Sequence, residues 1–208
     1  MARTRGTKCR LCRREGIKLY LKGIRCSGDK CAIERRNTVP GQHGKVRKKL
    51  SDYGLQLREK QRMKKIYGML EKQFRLFFER AARKKGVTGE NLIQFLERRL
   101  DNVVYRLLFV ASRFESRQMV YHGLIKVNGR KVNIPSYIVK VGDVIEINRK
   151  GDTEKRVKDN LEMLKDRIIP EWLSLDRNAL KGTIERLPAK SDANLPIEEN
   201  LIVELYSK

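Results

Sequence analysis

"LIKVNGRKVNI", residues 124–134, decides how the middle of this chain is built. Two short runs, Leu124–Val127 and Lys131–Ile134, flank Asn128-Gly129. A type I′ turn needs two residues that accept positive φ, and its twist matches that of paired strands. Asn-Gly meets that demand, so the stretch reads as a β-hairpin. Downstream, "YIVKVGDVIEI" (residues 137–147) offers a second strand pair around Gly142-Asp143.

Helical periodicity precedes the hairpin. Leu92, Leu96, Leu100, Val103, Val104, Leu107 and Leu108 form one apolar stripe from Thr88 onward, with no proline to interrupt it. Ala111-Ser112-Arg113 reads as a connector, and Glu115–His122 as a second helix ended by Gly123. Further upstream, Ser51-Asp52 can cap a helix carrying Ile66, Leu70, Phe74, Phe77, Phe78 and Ala81, with a break at Gly68 and a stop at Gly86. These aromatics share one face, which marks them as core and not as platforms for stacked bases. Beyond the sheet, Val157–Ile169 predicts a helix ended before Pro170, Trp172 and Leu175 anchor a turn, and Leu201–Leu205 predicts a strand.

The fold class is therefore α+β. A mainly helical N-terminal domain is followed by a small module of a helix pair and a β-sheet. The expected divisions are a basic arm at 1–50, its helical continuation at 51–93, the module at 94–160 and an appendage at 161–208 that packs on the body.

Charge narrows the function. The 208 residues hold 48 Lys+Arg against 25 Asp+Glu, a net +23, which makes a polyanion the expected partner. The balance is +13 over residues 1–50, +7 over 51–100, +5 over 101–150 and −2 over the rest. A merely solvated surface would mix both signs throughout; this gradient points one end and the middle at the polyanion. No run of eighteen apolar residues and no signal-peptide core is present, so the expectation is a soluble, intracellular protein without a membrane partner.

All four cysteines lie between residues 9 and 31, as C-x2-C, thirteen residues, then C-x4-C. Two close pairs on separate turns suit one structural Zn2+ held by four thiolates, with Cys9, Cys12, Cys26 and Cys31 as ligands. An iron–sulfur cluster is the lesser alternative, and a redox motif lacks its strand–helix flanks. With every position filled by sulfur, the site would be closed to water and not catalytic. His43 in Pro40-Gly41-Gln42-His43-Gly44 is placed as a loop residue near phosphate instead of a ligand. The same connector runs into Lys45, Arg47, Lys48 and Lys49, of which Arg47, Lys48 and Lys49 are candidate RNA contacts.

In the module, Arg106, Arg113 and Arg117 come from the helices and their connector, and Lys126, Arg130 and Lys131 from the hairpin. Together they describe a phosphate-tracking surface suited to folded RNA, read by backbone shape and 2′-hydroxyls. An RNA-modifying enzyme and a zinc-dependent nucleic-acid-binding regulator are the competing classes. Against the first stand the short remainder beyond residue 150, two histidines and no acid/base pair in an apolar pocket. Asp101 reads as a helix-surface or capping acid. Against the second, no helix stands out as a major-groove reader.

The whole stretch 99–145, with "PGQHG", "SDYGLQLREKQ", "YGMLEKQF" and "ENLIVELYSK", resembles the bacterial small-subunit ribosomal protein S-four family over almost the full chain. The resemblance implies a non-enzymatic, cytoplasmic constituent of the small ribosomal subunit without a small-molecule substrate. It implies binding to the 5′ domain of small-subunit rRNA at a multi-helix junction and early action in subunit assembly. A contact with ribosomal protein S-five, a place beside the incoming messenger RNA and a part in translational accuracy follow from the same likeness. By position, Ser112, Arg113, Arg117, Gln118, His122, Lys126, Asn128 and Arg130 match where that module faces RNA. Leu108 departs from the pattern, since glycine is common there. Many members lack the cysteines; some with this four-cysteine pattern bind zinc.

Overall fold

A computed structural model describes residues 6–44, 49–148 and 151–207. Contacts divide the chain into two units, Met1–Leu92 with Leu195–Lys208, and Ile93–Asn194.

In the first unit α1 (Lys8–Glu15), a 3-10 turn at Gly23–Cys26 and α2 (Ala32–Arg35) form the arm, followed by α3 (Asp52–Ile66) and α4 (Glu71–Arg83). Ser51 caps α3 as expected, its hydroxyl accepting from the Gly54 N–H at 3.2 Å. Gly68, at φ 62°, separates α3 from α4. The predicted aromatic face is real: Phe74, Phe77, Phe78 and Ala81 are buried. The buried Glu15 takes Arg58 at 3.1 Å and also pairs with Lys65, tying α1 to α3. The chain runs through α5 (Thr88–Glu97) into the second unit.

Leu201–Leu205 does not form a strand. It lies within a helix, Glu199–Tyr206, that packs on α3 and buries Ile202. Five apolar-rich positions in a row fit either structure; the deciding features are distant partners. Gln56 donates to Glu204 at 3.0 Å, the Glu198 N–H donates to Glu59 at 3.3 Å, and Tyr206 stacks on Phe78 with ring centroids 4.4 Å apart.

Glu71 receives hydrogen bonds from Lys60 (2.6 Å), Lys64 (2.8 Å) and the Tyr206 hydroxyl (3.0 Å). Burial alone would raise its pKa from 4.5, but these donors outweigh it and hold the carboxyl at about 2. Burial, joined by Glu71, pushes the Tyr206 phenol up. A lowered folded-state pKa means that the carboxylate supports the fold above about pH 4.5 and that this support fades as pH falls towards 2. Glu71→Gln is expected to flatten the acid limb of a stability–pH curve over that window. The effect should be small and reduced by salt, because the side chain is 46% exposed.

The second unit holds α6 (Leu100–Arg106), α7 (Arg113–Tyr121), β1 (Ile125–Val127), β2 (Arg130–Lys131), β3 (Val144–Ile147), α8 (Thr153–Met163), β4 (Leu173–Asp176), β5 (Lys181–Ile184) and α9 (Lys190–Ala193); the helix Glu199–Tyr206 is α10. Its antiparallel sheet runs β2-β1-β3-β5-β4. One core joins α6 and α7 to this sheet and α8, with Val103, Leu107, Val120, Ile125, Ile145, Leu161 and Trp172 all buried.

The hairpin forms where the sequence places it, with Asn128 at φ 50° and Gly129 at φ 75°. Its return strand is shorter than Lys131–Ile134. After Val132 the backbone turns to α6, where the Pro135 and Tyr137 carbonyls accept from the Asp101 (3.1 Å) and Leu100 (2.8 Å) N–H groups. Those bonds also explain why Thr88–Leu108 is not one helix. Arg99 leaves helical geometry to bridge Ile138, and the Val139 N–H donates to the Arg98 carbonyl at 3.0 Å. The segment before Gly142 is likewise no strand; only Val144–Ile147 pairs, between β1 and β5. Leu108 adopts φ 62° just beyond α6 while staying buried, a left-handed conformation that costs a non-glycine residue roughly 1–2 kcal/mol.

The segment 161–208 is not a single appendage. Residues up to Asn194 belong to the second unit, and Leu195 onward to the first. The expected helix Val157–Ile169 begins earlier and ends at Met163, and Trp172–Leu175 is no isolated anchor but the start of the β4–β5 hairpin. Asp176 shapes that turn, its carboxylate accepting from the Asn178 (2.9 Å) and Ala179 (3.0 Å) N–H groups.

Candidate nucleic-acid interface

The candidate RNA residues of the second unit separate into two groups by what they touch. Arg106 is committed internally: it makes a two-pronged bond to the buried Glu97, at 2.9 Å on each prong, and donates to the Ala193 carbonyl at 2.8 Å. Arg113 donates to Asn102 at 2.7 Å and lies over the Tyr105 ring, 4.4 Å from its centroid. Arg117 is buried and lies 3.8 Å from Asp101. Ser112 caps α7 by accepting from the Glu115 N–H at 3.3 Å. Asn128 locks the hairpin, donating to Asp143 and accepting from the Val144 N–H, both at 2.8 Å. These five residues organise the module: Arg106, Arg113, Ser112 and Asn128 are hydrogen-bonded within it, and Arg117 lies beside the Asp101 carboxylate.

The second group faces outward. Gln118 and His122 lie along and just after α7, with Tyr121 exposed beside them. Arg130 and Lys131 are exposed on β2, and Lys126 is half-buried on β1. Lys126 and Lys131 stand directly opposite one another across the ladder. Like charges in that position repel, and sheets ordinarily avoid the arrangement. Among the described residues no carboxylate lies within ion-pair distance of Lys126, Arg130 or Lys131; Glu146 stands directly opposite Lys126 on β3 and pairs with Lys181 at 2.9 Å, so Arg130 and Lys131 on β2 are the cations without an acid across the ladder. The Lys131 stem lies where a Cβ on Gly123 would overlap it, immediately after His122. The hairpin cations and the end of α7 thus make one surface, with the negative end of the helix dipole steadying Lys131.

In the first unit Lys49 is exposed, while Arg47 and Lys48 lie outside the described residues. The four cysteines are free thiols, with Cys12, Cys26 and Cys31 buried and Cys9 half-buried. The Lys22 N–H donates to Cys26 Sγ at 3.3 Å. Burial raises the Cys12 pKa; a hydrogen bond at Leu19 opposes this, and Cys26, Cys9 and Cys31 raise it further. The donor chemistry fits a soft divalent metal, since thiols that repel one another as anions are reconciled by a cation among them. Among the described residues, however, no three His, Cys, Asp or Glu groups are gathered to hold a metal ion.

Residues 3–97 match the Ribosomal protein S4/S9 N-terminal domain, and residues 98–145 match the S4 domain. The chain belongs to the small ribosomal subunit protein uS4 family. It is 60% identical to the small ribosomal subunit protein uS4 of Geotalea uraniireducens and 59% identical to those of Geotalea daltonii and Acetivibrio thermocellus, in each case over 100% of both chains. In this uS4-family chain the hairpin surface falls in the S4-domain match, and the thiols fall in the N-terminal match.

Sequence reasoning missed the acids that take up the arginines. Glu97 is fully buried and also accepts from Asn102 at 2.9 Å, and Asp101 is buried instead of lying at the surface. The available signal was Glu97-Arg98-Arg99-Leu100-Asp101, where two acids interrupt an apolar stripe. No helix among the described residues is long and apolar enough to cross a membrane.

Proposed function

We propose that this chain is a structural, non-enzymatic constituent of the small ribosomal subunit in the cytoplasm, and that it binds the 5′ domain of small-subunit rRNA at a multi-helix junction early in assembly. Full-length similarity to uS4 proteins supports the ribosomal role. The observation that carries the RNA contact is the hairpin, where Arg130 and Lys131 stand exposed beside Lys126 with no carboxylate in ion-pair distance among the described residues. Phosphate supplies the missing counter-charge, and releasing the ions condensed on RNA drives the association. Arg106, Arg113, Arg117, Ser112 and Asn128 serve by holding α7 and the hairpin in place. Neutralising converging phosphates lets the junction close.

Affinity for a 5′-domain RNA fragment should fall steeply as salt rises. Arg130→Ala/Lys131→Ala should weaken binding at least about tenfold and reduce the log–log salt slope by about 1–2, because each cation removed leaves one phosphate un-neutralised. A nearly flat salt dependence of the unaltered protein would sink the phosphate mechanism.

The proposal extends to one structural zinc held by Cys9, Cys12, Cys26 and Cys31. Their spacing, burial and mutual electrostatic reach support it. A bound zinc would supply a cross-link to an arm with few core residues of its own. Protein purified under reducing conditions should carry about one zinc per chain, and chelation should lower arm helicity by circular dichroism. Metal-free protein indifferent to the chelator overturns this part alone. A contact with ribosomal protein S-five, a place beside the incoming messenger RNA and a contribution to translational accuracy complete the proposal; the likeness to the family supports them.

A further inference from the structure

Of the chain's asparagines only Asn128 precedes a glycine. Both residues are exposed, and a Cβ built on Gly129 would meet nothing within 4 Å, so little screens the peptide that joins them. An asparagine amide beside such a peptide is chemically labile. The Gly129 nitrogen gives up its proton to hydroxide and attacks Asn128 Cγ. A nitrogen–carbon bond forms, the Cγ–Nδ2 bond breaks, and Nδ2 leaves as ammonia after taking a proton from water. Water then opens the five-membered imide. Opening at Cγ leaves an aspartate; opening at the backbone carbonyl carbon leaves an isoaspartate, whose main chain runs through the former side chain. Any larger residue at 129 would crowd the attack, and glycine does not.

The folded hairpin restrains that reaction. The Asn128 amide is held at both ends, Nδ2 donating to Asp143 Oδ1 and Oδ1 accepting from the Val144 N–H, each at 2.8 Å. Turning Cγ towards the Gly129 nitrogen breaks both bonds. The restraint is lightly guarded, because β2 is short, exposed and at the edge of the sheet, with Lys131 facing Lys126 across the ladder. Such a strand opens at the low end of a protein's local stabilities. Once converted, the turn does not re-form. Aspartate at 128 sets a carboxylate where Nδ2 had donated, against Asp143. Asp143 is 8% exposed and its Oδ2 accepts from the Lys140 N–H at 2.7 Å, so it neither sheds the repulsion into solvent nor swings away. Isoaspartate lengthens the turn by a main-chain carbon, which the pairing of Val127 with Arg130 on either side of it does not accommodate.

We infer that Asn128 is a gated, one-way modification site. Its amide persists while the hairpin is closed and hydrolyses when the hairpin opens, and its loss takes the Arg130 and Lys131 surface out of use. The last step rests on the RNA-binding reading above; the chemistry does not. RNA seated on Arg130 and Lys131 binds the closed hairpin and favours it by mass action, so bound chains keep the amide and unbound chains lose it. The new negative charge lies beside Arg130, where it stands in for phosphate as a counter-ion.

The test incubates the full chain in warm, mildly alkaline buffer and follows the amide-to-acid mass gain at Asn128 by peptide mass spectrometry. Conversion should be at least about tenfold faster in urea than in the native protein, and slowest with a saturating 5′-domain RNA fragment. In urea Asn128 should outpace the other asparagines. Equal rates in urea and in native protein overturn the gate, and an Asn128 no faster than the others in urea overturns the site. Asn128→Asp, the direct product, should bind the fragment at least about tenfold more weakly and lose amide hydrogen-exchange protection in β1 and β2. Asn128→Asp/Asp143→Asn restores a donor facing an acceptor with the roles exchanged, and it should recover that protection. No recovery would overturn repulsion from Asp143 as the cause. If Asn128→Asp binds RNA like the unaltered protein while Arg130→Ala/Lys131→Ala weakens binding, the switch falls and the hairpin reading stands. If neither substitution matters, the RNA-binding reading itself falls.

Discussion

Asp101→Ala should cost about 3–5 kcal/mol of unfolding free energy in the second unit, the range expected when one partner of a buried ion pair is removed. Arg99 is fully buried and donates to Asp101 through Nε at 2.9 Å and Nη2 at 2.5 Å. Arg117, 8% exposed, stands 3.8 Å from the same carboxylate. Truncating Asp101 would leave two shielded guanidiniums without their shared counter-charge. The Asp101 backbone also joins the neighbouring elements, its N–H donating to the Pro135 carbonyl at 3.1 Å and its carbonyl accepting from the Ser116 hydroxyl. Asp101→Asn keeps acceptor and shape and should lose less. The chain's single tryptophan lies in this unit, so fluorescence-detected urea unfolding reads the loss directly. A cost under about 1 kcal/mol would show that the pair's Coulomb gain only matched its desolvation.

Trp172→Ala should be comparably damaging, at about 3–5 kcal/mol, because it empties the largest fully buried side chain of the second unit's core. The residue immediately precedes β4 in the β4–β5 hairpin, and its carbonyl accepts from the Glu185 N–H at 3.0 Å. Trp172→Phe should cost much less. It keeps most of the apolar volume, and it removes an indole N–H that is buried without a hydrogen-bond partner among the described residues. The substitution removes the fluorophore, so circular dichroism in urea is the measurement. Equal losses for Ala and Phe would mean that indole shape, and not buried volume, governs the site.

Features encoded within a few residues were legible in the sequence. Asn128-Gly129, the Ser51 cap and the break at Gly68 each rest on local backbone chemistry, and each stands where expected. What the sequence hid depends on partners far along the chain. Thr88–Leu108 has one helical period, yet residues 135–139 claim the backbone near Arg99, and periodicity carries no sign of that competition. Leu201–Leu205 looks strand-like until α3 offers its flank. The β4–β5 hairpin escaped because Asp176, and not an Asn-Gly pair, makes its turn. The candidate interface divides in the same way. Arginines could be counted from the sequence, but Glu97 draws Arg106 and Asp101 draws Arg99 and Arg117 into the unit's own contacts, and burial decides where those acids lie.

The first unit draws on both flanks of the second, and this orders events on the ribosome that makes the chain. Residues 93–194 emerge as one uninterrupted stretch and can close their core while synthesis continues. The flank of α3 that receives α10, and the α4 rings that receive Tyr206, must wait exposed until α10 has been made. Apolar surface held open for that interval invites association with other nascent chains or with a chaperone. Phe74 and Phe78 are then the residues at which a slow-growing or stalled chain is most vulnerable.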